Sequence, residues 1–174
     1  MPSISFHSPG VRIRELERDE WALFRKLRLC ALAESPRAFA RRFVDKRGQP
    51  DAHWIRLTES VTSPAGQTML LAEEDGRSFG LVFGLLDREH PETGHVGGMW
   101  VKPEGRRRGA GEALLRAVID WARSRTLEQL ELQVTEGNEP AIRLYERIGF
   151  TDTGRRDAHA ANPNLRVIQM ILTL

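Results

Sequence analysis

The chain has 174 residues, of which 40% are hydrophobic and 29% charged, and a formal net charge of +2. Such a length and composition suit one globular domain, residues 1–174, and exclude a disordered chain or a coiled coil, while the small charge gives no reason to expect nucleic acid as a partner. No run approaches the roughly 18 apolar residues of a membrane span, and the opening MPSISFHSPG lacks an export signal, so the expected setting is the cytoplasm.

Residues 1–10 read as a flexible extension. Val11 to Arg14 then alternate apolar and charged as a short strand, and Trp21, Phe24, Leu27 and Leu32 recur at helical spacing up to Ser35-Pro36, where proline ends the helix. The pattern predicts a second helix over Pro36 to about Lys46 and a third over Asp51 to Val61, separated by Gly48-Gln49-Pro50. Thr68 to Ala72 and Ser78 to Leu86 form a hairpin around Glu73-Glu74-Asp75-Gly76, and a polar loop, DREHPETG, leads to a strand over His95 to Val101. A helix from about Ala110 to Arg123 carries Leu114, Val118, Trp121 and Ala122 as its core stripe. Leu130, Leu132 and Val134 alternate with polar residues as a strand. Asn138-Glu139-Pro140 opens a short helix that Gly149 ends, and strands near Phe150 to Arg155 and Leu165 to Leu174 flank a polar loop, DAHAANPN. This order argues for an α/β (α+β) domain built around one mixed sheet of about seven strands.

Between the strand ending MWVKP and the helix at Ala110 lies RRRGAG, residues 106–111. A strand, a glycine-containing turn and a helix start in that order suit an anion site, because the first N–H groups of a helix lack internal partners and the dipole there is positive. Gly109 and Gly111 permit close approach, and Arg106, Arg107 and Arg108 add charge. An ordinary strand-to-helix turn with a solvated basic edge fits the spacing equally well. The run is neither a Walker A loop nor a dinucleotide fingerprint. Cys30, the only cysteine, sits in the apolar run LRLCALA as a small hydrophobe, and His7, His53, His90, His95 and His159 are too dispersed for a metal-ligand pattern, so no metal is expected.

RRRGAG resembles the acetyl-CoA signature of the GCN5-related N-acetyltransferase (GNAT) superfamily, in its bacterial single-domain form. That signature reads Gln or Arg, two residues, Gly, any residue, then Gly or Ala. MWVKP before it, ELQVTEGN and PAIRLYERIGF after it, and the opening VRIRELERDEWALFRKLRLCALAESPRAF extend the resemblance over nearly the whole chain. It implies a mostly antiparallel mixed sheet, flanked by helices and splayed between 95–101 and 130–135. It also implies acetyl-CoA as acyl donor and transfer to a primary amine of a small molecule, peptide or protein, by direct attack through a tetrahedral intermediate. Coenzyme A would be bound by Met99, Trp100 and Val101, by Arg106 to Gly111 including Ala110, by Glu112, and by Asn138 and Tyr145. Asn138 also suits a helix N-cap and Tyr145 a half-buried core position.

In the family Tyr145 would be the general acid for the leaving thiolate. The family's glutamate base falls at His95, whose imidazole suits proton transfer near neutrality, with Glu74 and Glu73 in reserve. That departure motivates an alternative, a nonenzymatic acyl-CoA-binding or regulatory domain of the same fold. The acceptor would be met by Glu34 to Phe43 and Asp157 to Asn164. A homodimer is common in the family, and the final strand ILTL offers an edge or packing face for one.

Overall fold

In the computed structural model, residues 7–8, 10–63 and 67–174 are described, so most of the expected extension over 1–10 lies outside them. Eight strands form one sheet: β1 (His7–Ser8), β2 (Val11–Glu15), β3 (Thr68–Glu74), β4 (Arg77–Leu86), β5 (Thr93–Val101), β6 (Gln129–Thr135), β7 (Thr151–His159) and β8 (Asn162–Thr173). They lie in the order β1-β2-β3-β4-β5-β6-β8-β7. Seven have five residues or more, and every pairing is antiparallel except β5 with β6. The helices are α1 (Trp21–Glu34), α2 (Phe43–Lys46), α3 (Asp51–Val61), α4 (Ala110–Ser124) and α5 (Glu139–Ile148).

Side-chain alternation along the strands divides the core in two. On one face Ile13, Leu70, Val82, Val96, Leu130 and Leu132 pack against the Leu114, Val118 and Trp121 stripe of α4 and against α5. On the other, Met69, Leu71, Leu81 and Trp100 meet Phe24, Leu27 and Ala31 of α1 and Trp54 of α3. Phe24 meets the Trp54 ring edge-on at 5.7 Å and is fully buried. The β3–β4 hairpin closes through Asp75 and Gly76 at φ +49° and +72°, the left-handed pair that a two-residue primed turn needs. No helix among the described residues is long and apolar enough to cross a membrane.

Three expectations are corrected. The helix over Pro36–Lys46 is broken: a 3-10 turn, Pro36–Ala38, gives way to extended backbone at Phe39 and Arg42 before α2. Phe39 leaves helical geometry because its ring is drawn into the α1 core, where it is 5% exposed. The polar loop 157–164 is mostly strand: Asp157 pairs with Val167, Ala158 with Arg166 and His159 with Asn162, leaving only Ala160 and Ala161 between β7 and β8. Backbone pairing defines this hairpin, and Pro163 sits at its irregularity, where no ladder bond is lost. Finally, the strand that ends in ILTL is not an edge strand, although of those residues only Ile171 has a partner on both sides. β8 runs between β6 and β7, so β7 is the edge on that side.

Candidate active site

The parallel ladder between β5 and β6 lasts only three pairs, Thr93–Gln129, Gly94–Leu130 and His95–Glu131. Past that point β5 stays with β4 and β6 stays with β8, and the two strands part. A cavity of about 830 Å³ occupies the opening, lined by β5 from His95 to Val101, β6 from Glu131 to Thr135, the start of α4, and Asn138 and Tyr145 of the α5 region.

A bulge shapes the β5 wall. Leu81 pairs with Trp100 but Phe83 with Gly97, so two steps of β4 span three of β5. The extra residue reverses the alternation: Met99 joins the α4 face and Trp100 the α1 face, where its Nε1 donates to Glu34 Oε2 at 2.9 Å. The bulge requires glycine. Gly98 has φ +59°, and a Cβ there would lie 2.5 Å from Phe83 Cδ2.

At the far end, Gly109 caps α4 in the left-handed region, φ +82°, and Ala113 N–H makes the first helical bond, to Gly109 O at 2.9 Å. Among the described residues the N–H groups of Ala110, Gly111 and Glu112 therefore have no backbone partner, the arrangement that receives anions. The three arginines are not equivalent. Arg106 is folded back, its Nε donating to Val101 O at 2.9 Å and its Nη2 to Glu34 at 2.7 Å. Arg108 turns away to Glu74, beside a separate cavity. Arg107, exposed and at φ +61°, has no side-chain partner among the described residues and lines the main cavity. Ala110 is buried in the core and offers only backbone. The Glu112 carboxylate is held by Arg116 at 2.9 Å and Arg147 at 3.5 Å.

His95 Nε2 lies 2.7 Å from Asp87 Oδ2. The His95 bond, followed by donation from the His90 and Glu89 N–H groups, holds the Asp87 carboxyl well below the usual carboxylate range. An ionised carboxylate only accepts, so Nε2 carries the hydrogen and Nδ1 of the neutral ring is left as a proton acceptor. Asn138 stands at the N-cap of α5, yet its side chain makes no capping bond and its amide stays available to the cavity. Tyr145 is 8% exposed beside Phe150, and burial pushes its phenol up to about 12. Glu73 and Glu74 are not brought to the cleft. Burial would raise Glu73, but bonds from Arg14 and Ser78 outweigh it and hold the carboxyl below its ordinary value.

The Acetyltransferase (GNAT) family model matches residues 15–150, which include every element around the cavity apart from the β7–β8 hairpin. The chain belongs to this family. Among its GNAT relatives is a mycothiol acetyltransferase of Thermomonospora curvata, 36% identical over 82% of this chain and 44% of the relative. The chain spans about half the length of the curated relatives it matches, or less. A GNAT acetyltransferase structure from Streptococcus pneumoniae superimposes with a TM-score of 0.80 at 22% identity, covering 94% of this chain and 99% of that one. A Salmonella typhimurium protein solved with its cofactor acetyl-CoA gives 0.77 at 20%, covering 95% and 94%. At those identities the two structures speak for the GNAT fold alone.

The GNAT cleft also contains residues that sequence patterning passed over. Glu131 reaches it on the α1 side, with Gln169 Nε2 donating to it at 2.7 Å. Its place opposite Leu130 and Leu132 in the alternation was the available signal. His159, 4% exposed, arrives from β7 and falls within the segment Asp157 to Asn164 expected to meet the acceptor, although the pattern gives it no role by itself. Arg28 lines the cavity from α1, where an arginine in an amphipathic helix reads as a solvated residue.

Proposed function

We propose that the chain, acting as one acetyltransferase domain in the cytoplasm, transfers an acetyl group from acetyl-CoA to a primary amine by direct attack. The observation that carries this reading is the opening between β5 and β6, which joins unpartnered N–H groups at the start of α4 to a glycine bulge and then to an imidazole. These residues fit the acyl donor. Three free N–H groups and the unpartnered Arg107 suit a diphosphate, and the backbone of Met99 to Val101 with the Asn138 amide suits an amide-bearing arm. When bound, acetyl-CoA supplies a thioester carbonyl for the amine to attack and a thiolate to leave.

His95 Nδ1 takes a proton from the incoming ammonium, oriented by Asp87. Tyr145 donates toward the departing sulfur, and an N–H of the bulged strand polarises the carbonyl. The depressed Asp87 carboxyl keeps the pair intact at neutrality. Because the folded carboxyl titrates below the unfolded value of about 3.9, the pair's contribution is full above that pH and is lost only as pH falls through the folded value. The oriented imidazole favours catalysis over a purely cofactor-binding domain.

The reading is tested by following free thiol released from acetyl-CoA across a panel of amines. Amine-dependent release is expected, and Asp87→Asn is expected to lower kcat about tenfold at unchanged acetyl-CoA affinity, because the imidazole loses its orientation. If no amine elicits thiol while acetyl-CoA still binds, the domain is a binding module.

A further inference from the structure

The acceptor side of the cavity holds a cation, Arg28, that no carboxylate among the described residues neutralises. Arg28 lies on α1 with its guanidinium carbon 4.8 Å from the Phe39 ring centroid and 5.8 Å from that of Phe83. Its Nη1 is inaccessible to solvent and has no hydrogen-bond partner. A Cβ built on Gly98 would lie 3.2 Å from that nitrogen, so the guanidinium sits against the bulge itself. Burial first, and then the nearby Arg41 charge, pull Arg28 below its ordinary value. Two indole N–H groups, of Trp54 and Trp121, are also unpartnered, but neither lines the cavity.

Burying a guanidinium with no counter-ion is expensive, and a ligand anion that meets Arg28 where its side chain lines the cavity recovers part of that cost on binding. The charges around Arg28 narrow what the group can be. Of the lining carboxylates, Glu131 is engaged by the amides of Gln129 and Gln169, and Glu112 by Arg116 and Arg147. The remaining ionisable neighbours on this side are His95, already bonded to Asp87, and His159, whose Nδ1 accepts from Ala161 N–H. The planar guanidinium is held by two aromatic faces, an arrangement that presents a fixed fork to a carboxylate.

We propose that Arg28 is the anion subsite of the acceptor pocket and takes a carboxylate lying a few bonds from the reacting amine, so that the acceptor is an amino-acid-type amine rather than a polyamine. The short spacing follows from the contact with Gly98, because the bulge is also where the thioester carbonyl is expected. The inference rests on the acetyltransferase reading above and names its substrate class.

The experiment compares matched acceptors that differ only in the carboxylate, 2,4-diaminobutyrate against 1,3-diaminopropane and lysine against cadaverine, by thiol release from acetyl-CoA. The wild-type protein is expected to favour the carboxylate-bearing member of at least one pair in kcat/KM. Arg28→Gln should cut that preference about 10- to 100-fold, the range for a hydrogen bond to a charged group. Arg28→Lys should retain part of it, and melting temperatures establish that both variants fold. Turnover with no preference for the carboxylate, or an equal loss on both members in Arg28→Gln, overturns the subsite and leaves the acetyltransferase reading standing. No turnover with any amine overturns both.

Discussion

Tyr145→Phe is expected to lower kcat about 100-fold while leaving acetyl-CoA affinity within about twofold of wild type. The substitution removes one oxygen and keeps the ring that packs 6.0 Å from Phe150, so folding and the cavity wall are preserved. What is lost is a hydroxyl held in its protonated form. With the phenol pushed up to about 12 by burial, it remains a donor across the working range, and any alkaline limb from its ionisation falls near 12 instead of near 10. An unchanged kcat in Tyr145→Phe would assign the residue to packing alone.

Gly98→Ala is expected to act through both backbone and packing. The residue must hold φ +59°, which costs an L-residue about 1–2 kcal/mol, and its Cβ must displace the Phe83 ring from 2.5 Å, an overpacking of about 1–3 kcal/mol. Phe83 in turn lies under Arg28 and beside Phe24, so the disturbance spreads into the α1 core. A fall in melting temperature of several degrees is expected together with weaker acetyl-CoA binding. Gly97→Ala is the internal control. Its Cβ would meet Leu85 Cδ1 at an ordinary 3.5 Å, with no positive φ, and little change is expected. Equal effects at the two glycines would mean that the bulge does not shape the cleft.

The elements with strong periodicity were legible in the sequence. α4 buries Leu114, Val118 and Trp121 at the spacing expected, α3 spans Asp51–Val61 as read, and β6 alternates as read. In sequence the Gly97-Gly98 pair is compatible with a bulge or with plain packing, and the register shift decides for the bulge. What escaped was fixed by contacts remote in sequence. Nothing local distinguishes Arg107 from Arg106 and Arg108; the distinction comes from Glu34 and Glu74, which are 72 and 34 residues away from their arginine partners. Arg28 becomes unusual only when Phe39 and Phe83 close over it. The Asp87–His95 pair was closer to view: Asp87 N–H bonds Thr93 O across the turn, so hairpin register alone would have put the carboxylate two residues from the imidazole. Both strands of the β7–β8 hairpin were legible, but their ends at 157–159 and 162–164 read as loop because a polar edge strand carries little apolar alternation.

The most direct test of the central claim is calorimetric titration of the purified chain with acetyl-CoA, beside the same titration of Arg107→Glu. Saturable binding near one equivalent is expected for the wild-type protein, weakened about tenfold or more in the variant, because an anion replaces the one RRRGAG guanidinium without a side-chain partner among the described residues. Absence of binding at millimolar acetyl-CoA, with the protein folded, would contradict the account.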